Sequence, residues 1–193
     1  MDRRRGVGSV EEVSSEQHDD VASREQVVRN NTVVAALMLV GTAILVGAFE
    51  EFGRRLGVMP GWWSGMYVLP LMAPALTIAL WFYTSRLERR AGTNLVRGQL
   101  VLLIGLSFVA ALPSMSAGHS FSLYYGALLL LLATKIADQR LVIGGVIVTV
   151  TWLWLYFDII RADYSLLLFV TAVLVLACIL APRQLRNAPS ARS

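Results

Sequence analysis

Long stretches without charged residues divide this chain, and they constrain its fold more than any other feature. Of its 193 residues, 56% are hydrophobic and 16% are charged, whereas a soluble domain carries about 25% charged residues. Such a chain has more apolar surface than its own core can bury, and about 20 apolar residues suffice to cross a roughly 30 Å hydrocarbon layer. The sequence therefore predicts an all-α, polytopic integral membrane protein.

The uncharged stretches set the number of spans. Arg97 and Lys135 are separated by 37 residues, which as one helix would be about 55 Å long, nearly twice the layer. The chain must turn back there, and residues 113–118 carry the turn signal, with one proline and one glycine. We expect a six-transmembrane-helix bundle with spans at 32–50, 65–84, 97–113, 119–137, 141–158 and 164–181.

Polar segments flank the predicted transmembrane domain, residues 32–182. Residues 1–31 contain no Phe, Trp or Tyr and have seven acidic residues against five arginines. That composition is typical of a disordered or weakly helical tail. Residues 183–193 form a short basic tail. Neither segment approaches the roughly 100–150 residues of a typical separate domain.

The distribution of lysine and arginine predicts the orientation. With the N-terminus inside, 14 of the 17 basic residues fall on the inner side, and Arg54, Arg55 and Arg161 fall on the outer side. Such a bias places both termini in the cytoplasm. The sequence thus predicts an N-in/C-in protein of the inner (cytoplasmic) cell membrane. Sixteen arginines against one lysine are typical of a GC-rich bacterial genome.

Composition also excludes several kinds of chemistry. Cys178 is the one cysteine, and His18 and His119 are the two histidines, so no disulfide framework, metal cluster or bis-histidine haem site is expected. The sequence contains no P-loop or glycine-rich nucleotide fingerprint, so we expect no cofactor and no ATPase of its own. The basic residues lie between apolar spans, which favours the lipid bilayer as partner and excludes nucleic acid.

Aromatic and proline residues mark a candidate binding site near the outer face. Pro70 and Pro74 lie four residues apart in the second span, hence on one helix face, and each removes a backbone N–H. Transporters place their binding sites at broken helices of this kind. Most aromatic residues fall near outer span ends, where they form either an interfacial belt or the lining of a pocket. The candidates for the lining are Trp62, Trp63, Tyr124, Tyr125, Trp152 and Trp154.

The catalytic candidates are Glu50, Glu51 and His119. The run from Glu50 to Arg55 reads Glu-Glu-x-x-x-Arg, which resembles the first motif of the CAAX-type intramembrane proteases. This resemblance implies that the glutamates act with histidines of later helices. The sequence departs from the family because the Phe-x-x-x-His element is missing and no second downstream histidine exists. The simpler interpretation is a self-neutralised helix end, with Glu50 paired to Arg54 and Glu51 to Arg55.

Small residues predict close helix contacts. Ala43 and Gly47 lie four residues apart in the first span, and Gly144 and Gly145 adjoin in the fifth. Such residues let helix backbones approach each other, either within the bundle or against another subunit.

Three functions stay open. A small-molecule binding or transport module is the first. In its length, its number of spans and the side on which its termini lie, the chain is similar to the substrate-capture subunits of vitamin transporters of the energy-coupling-factor type. This resemblance implies ATPase partners. The second is a non-catalytic accessory subunit that binds another membrane protein, a second copy or lipids, and residues 138–167 look like the last spans of bacterial membrane proteins of unknown function. The third is an intramembrane enzyme acting on a lipid or isoprenoid substrate, with Glu50 or Glu51 as acid.

Overall fold

The computed structural model describes residues 8–58, 65–111, 120–157 and 164–181. Those residues form six α-helices and contain no β-strand. The helices are α1 (Gly8–Arg55), α2 (Gly65–Ala91), α3 (Arg97–Ala110), α4 (Ser120–Ile136), α5 (Gln139–Tyr156) and α6 (Tyr164–Ala177), and a 3-10 turn (Cys178–Leu180) follows α6. The predicted all-α class is confirmed.

The helices lie where the uncharged stretches predicted them. Each helix from α2 to α6 begins within two residues of the start of a predicted span. α2 continues past the predicted end at residue 84 to Ala91, because the charged residues Arg86–Arg90 remain helical after the apolar stretch ends. The predicted turn at residues 113–118 lies outside the described residues, and α3 and α4 on its two sides are separate helices.

The first helix begins inside the segment for which the sequence predicts a disordered or weakly helical tail, residues 1–31. α1 has 48 residues and begins at Gly8, so it is about 72 Å long at 1.5 Å per residue. Glu25 and Arg29 form an ion pair of 2.6 Å one helical turn apart, a spacing that stabilises a solvated helix. Val28 is buried, so the packed part of α1 begins before the predicted start of the first span. α1 therefore continues without a break from the polar residues before position 32 into the first apolar stretch.

The six helices form a closed ring. Consecutive helices contact each other, and α1 also contacts α6. The most extensive contacts join α1 with α6 and α4 with α5, while α1 touches α4 across the middle of the ring. Fully buried leucines such as Leu37, Leu128 and Leu129 fill this centre. The first and last helices are thus neighbours, which closes the bundle.

Small residues bring α4 and α5 together. A Cβ added at Gly126 would lie 2.5 Å from Thr149 Oγ1 and 3.4 Å from the carbonyl oxygen of Gly145. The close approach predicted at Gly145 is therefore confirmed, and it occurs inside the chain. Ala43 and Gly47 of α1 are buried as well, which favours internal packing as their role.

The outward faces of the bundle are apolar. Five large apolar side chains on α6 are exposed, and α3 and α5 expose apolar residues in the same way. The five are Leu166, Phe169, Val170, Val173 and Leu174. One segment of the described residues, Val21–Arg55 near the N-terminus, is long and apolar enough to cross a membrane, and four apolar segments of 10–17 residues are shorter.

Candidate functional site

A hydroxyl cluster joins three helices inside the apolar core. Thr77 of α2 lies 2.6 Å from the hydroxyl of Tyr124 of α4. The Tyr124 hydroxyl also donates to the carbonyl oxygen of Leu103 of α3, at 3.3 Å. Both side chains are buried. We name Thr77, Tyr124 and the Leu103 carbonyl the hydroxyl cluster.

The two hydroxyl groups of the cluster have fewer protons than contacts. Each hydroxyl group has one proton to donate, and Thr77 donates its proton to the carbonyl oxygen of Ala73 at 2.6 Å. Tyr124 likewise has one proton, and the Leu103 carbonyl can only accept it. Either hydroxyl can donate in the contact between Thr77 and Tyr124, so two protons serve three contacts. The cluster thus has more acceptors than donors.

The hydroxyl cluster adjoins the predicted break in α2. Pro74 is buried and stands three residues before Thr77. Because Pro74 has no N–H, the carbonyl oxygen of Pro70 has no helical partner. The bond from Thr77 back to Ala73 is of the kind that bends helices. α2 remains helical over Gly65–Ala91, so the two prolines weaken this helix without ending it.

Tyr125 is the second predicted binding residue beside the cluster. Its ring meets that of Tyr124 edge to face, with centroids 5.5 Å apart and planes at 66°. The side chain is fully buried, and its hydroxyl has no hydrogen-bond partner among the described residues. A buried hydroxyl without a partner costs about 1–3 kcal/mol. Tyr125 therefore offers a free hydrogen-bond donor in the core.

The structure does not gather all the predicted aromatic residues at one place. Tyr124 and Tyr125 are buried between helices, whereas Trp154 is exposed on α5 and Trp152 is half-buried. An exposed Trp near a helix end is typical of an interfacial belt. Trp62, Trp63 and His119 lie outside the described residues, so the pocket they were expected to line stays a prediction.

The two glutamates at the end of α1 have different surroundings. Glu51 accepts from Arg54 Nη2 at 2.7 Å and from Arg54 Nε at 3.1 Å, and it contacts Arg55 at 3.5 Å. The predicted pair of Glu51 with Arg55 is confirmed, but Arg54 pairs with Glu51 instead of Glu50. Hydrogen bonding to Glu51 and the charge of that carboxylate raise the pKa of Arg54. Glu50 is buried.

Sequence reasoning missed a buried carboxylate, Glu88. It lies in a run of arginines, which indicates a solvated helix end, yet only 2% of the residue is exposed. Its Oε1 accepts from the backbone N–H of Val96 at 2.7 Å and of Leu95 at 3.1 Å. Since Val96 at the N-cap of α3 makes no side-chain cap hydrogen bond, Glu88 caps that helix from α2.

One feature of the sequence indicates that Glu88 is buried. Ala73, Thr77, Leu80, Thr84 and Glu88 are spaced three or four residues apart and are all buried. This spacing defines one helix face. Glu88 thus continues the same inward face of α2 that carries Thr77.

A buried arginine, Arg140, ties α5 to α1 at the same end of the bundle. Asp138 caps α5 by accepting from the backbone N–H of Arg140 at 2.9 Å, and its other oxygen pairs with Arg140 Nη2 at 2.8 Å. Arg140 also donates to Asn30 Oδ1 of α1 at 3.0 Å. Arg140 is buried, and its Nη2 donates to both Asp138 and Asn30. Its role is therefore structural.

The comparisons with known proteins give no relative. No protein-family model, no curated protein and no solved structure matches this chain.

Proposed function

We propose that the chain is a six-span, N-in/C-in membrane protein that binds or transports a small molecule and has no ATPase of its own. Its binding site is the hydroxyl cluster with Tyr125, between the middle of the bundle and its outer face. In this orientation Tyr124 lies four residues, or about 6 Å, from the outer end of α4. Thr77 lies twelve residues, or about 18 Å, from the outer end of α2.

The charge and burial pattern supports the membrane part of this proposal. α6 carries no charged residue and exposes apolar side chains along its length. Arg86, Lys135 and Arg140 stand near those helix ends that face inward in this orientation. An apolar belt between charged ends is the surface that a bilayer requires.

The hydroxyl cluster is the observation on which the binding site rests. Polar groups in an apolar core cost free energy unless they are paired, and here Tyr125 leaves one donor unpaired. A ligand with an uncharged acceptor oxygen would satisfy that donor. Because Thr77 and Tyr124 are both buried, such a ligand enters only if α2 moves. The helix is weakened for such a movement at Pro70 and Pro74.

The geometry gives less support to the enzyme alternative. A general acid must be free to reach a substrate, but Glu51 is held by Arg54 and Arg55. Among the described residues, no three His, Cys, Asp or Glu side chains come together as a metal site. A binding module, in contrast to an enzyme, needs only hydrogen-bonding groups, and the described core supplies them.

Purification in mild detergent with mass spectrometry of bound molecules tests the proposal. We expect the wild-type protein to carry one specific metabolite, and the double variant Thr77→Val, Tyr124→Phe to lose it. Thr134→Val is the matched control, because Thr134 is an exposed helical threonine whose hydroxyl bonds to the carbonyl of Leu131 in its own helix.

Two outcomes would contradict the proposal. A stoichiometric protein partner without ATPase character, together with no metabolite, would favour the accessory subunit. A preparation with neither would favour the intramembrane enzyme.

A further inference from the structure

The turn between α2 and α3 contains a second, independent group of polar atoms. We name it the inner corner and define it as residues 85–99. Glu88 uses Oε1 to cap α3, while its Oε2 is buried and has no hydrogen-bond partner within the described chain. A buried carboxyl oxygen without a hydrogen-bond partner costs free energy.

Three more buried oxygens in the inner corner share this property. They have no hydrogen-bond partner in the part of the chain that the structure describes. Buried polar atoms are nearly always paired, with protein, water or an ion. Four such oxygens within residues 85–99 are therefore candidate ligands for a bound ion or water. They are Ser85 Oγ, Glu88 Oε2, Thr93 Oγ1 and Gln99 Oε1.

Backbone contacts and spacing place these four residues at the same corner of the fold. Ser85 stands three residues before Glu88, so both lie on one face of α2. The backbone N–H of Thr93 donates to the carbonyl oxygen of Glu88 at 3.0 Å, which holds the loop against the end of α2. Gln99 stands three residues after Val96, whose N–H Glu88 binds at 2.7 Å.

The amide orientation of Gln99 is fixed by its other contact. Its Nε2 donates to the carbonyl oxygen of Leu131 at 2.6 Å. A carbonyl can only accept, so the nitrogen of the amide must face α4. The amide oxygen is then left as a free acceptor. The inner corner thus combines one carboxylate oxygen with an amide oxygen and two hydroxyl oxygens.

We propose that the inner corner is a binding site for a small, hard monovalent cation. Carboxylate, carbonyl and hydroxyl oxygens are ligands for hard cations, and no thiol or imidazole belongs to the set. One carboxylate balances one positive charge. A divalent ion would leave an excess positive charge beside Arg86, Arg89 and Arg90, which makes the monovalent ion the better match.

Thermal unfolding of the full chain in mild detergent, in chloride salts at equal ionic strength, tests this site. The salts are those of sodium, potassium and N-methylglucamine, the last being too large to enter. We expect the apparent Tm to rise saturably with sodium or potassium and not with N-methylglucamine, because an ion that binds only the folded protein stabilises it.

Two variants distinguish the proposed cation site from the cap that Glu88 provides to α3. Glu88→Gln removes the charge but keeps an acceptor oxygen for Leu95 and Val96. Ser85→Ala with Thr93→Val removes two ligands and does not touch the cap. We expect either variant to raise the half-maximal cation concentration by about tenfold or more. Glu25→Gln, which alters a carboxylate of α1, is the control and should behave like the wild type.

The proposal is overturned if the wild type responds equally to all three salts, which would indicate an ordered water or a protonated carboxyl. It is equally overturned if both variants keep the wild-type response. Should Glu88→Gln not fold, the double variant decides alone. The readout is independent of any bound metabolite, so this site and the proposed binding function succeed or fail separately.

Discussion

Thr77 of α2 and Tyr124 of α4 share a hydrogen bond of 2.6 Å between residues 47 positions apart in the chain. The bond connects a helix weakened by proline to a helix that packs closely against α5. Any displacement of α2 must break or lengthen it. The same contact is therefore both a structural tie and the proposed binding site.

Removing this hydrogen bond should cost little stability. Hydrogen bonds between helices of membrane proteins contribute about 0.6 kcal/mol on average, so Tyr124→Phe and Thr77→Val should each lower the free energy of unfolding by about this order. Because the two groups bond to each other, the double variant should lose less than the sum of the single losses. Reversible unfolding in mixed micelles measures the cycle, and additive losses would show that the contact contributes nothing.

Gly126 should be intolerant of a larger side chain. In Gly126→Ala the new Cβ would lie 2.5 Å from Thr149 Oγ1, and overpacking of this kind costs about 1–3 kcal/mol. Thr149→Ala should relieve the clash and restore most of the loss.

Gly105→Ala is the matched control for this prediction. Gly105 lies in α3 with nothing within 4 Å of an added Cβ. The change should therefore stabilise the protein by about 0.5–1 kcal/mol. Equal effects at both glycines would contradict the close packing of α4 on α5.

The sequence and the structure agree on the helices for a simple physical reason. Charged residues are excluded from an apolar environment, so the uncharged stretches between them indicate the position of each helix. The Thr77 to Tyr124 contact has no such indication in the sequence, and the burial of Glu88 is indicated by its spacing on α2 and not by the distribution of charge. The first depends on which helices become neighbours. The second depends on a turn at Gly92, which has φ of +71° and directs the start of α3 back towards Glu88.

The proposed orientation predicts which loops are accessible from outside the cell. In a Cys178→Ser background, a cysteine at Gly61 should react with an impermeant thiol reagent in intact cells, and one at Asn94 only after permeabilisation. Asn94 is exposed and avoids the left-handed backbone of Gly92, which strains any other residue. The opposite labelling pattern would reverse the topology.

The contact of Arg140 with Asn30 should be important for joining α5 to α1. Arg140→Met removes a buried guanidinium bonded to Asp138 and Asn30, and hydrogen bonds to charged groups contribute about 1.5–3 kcal/mol. We expect a loss of this size in the free energy of unfolding. Arg90→Met changes an exposed arginine near the same end of the bundle and should have almost no effect. A loss at Arg90 as large as that at Arg140 would argue against the specific contact.

Changing both glutamates at the end of α1 separates a binding module from an enzyme. Glu51 is partly exposed in its pairs with Arg54 and Arg55, and surface ion pairs contribute at most about 1 kcal/mol. Glu51→Gln should therefore fold normally and still carry the metabolite of the wild type. Glu50 is buried, so Glu50→Gln, which keeps the shape of the side chain, should be studied both alone and with Glu51→Gln. A variant that folds, keeps the metabolite and loses turnover of it would show that a glutamate performs chemistry, because a binding site does not need an acid. If the metabolite stays bound and unchanged in every variant, both glutamates serve the helix end and the site lies with Thr77 and Tyr124.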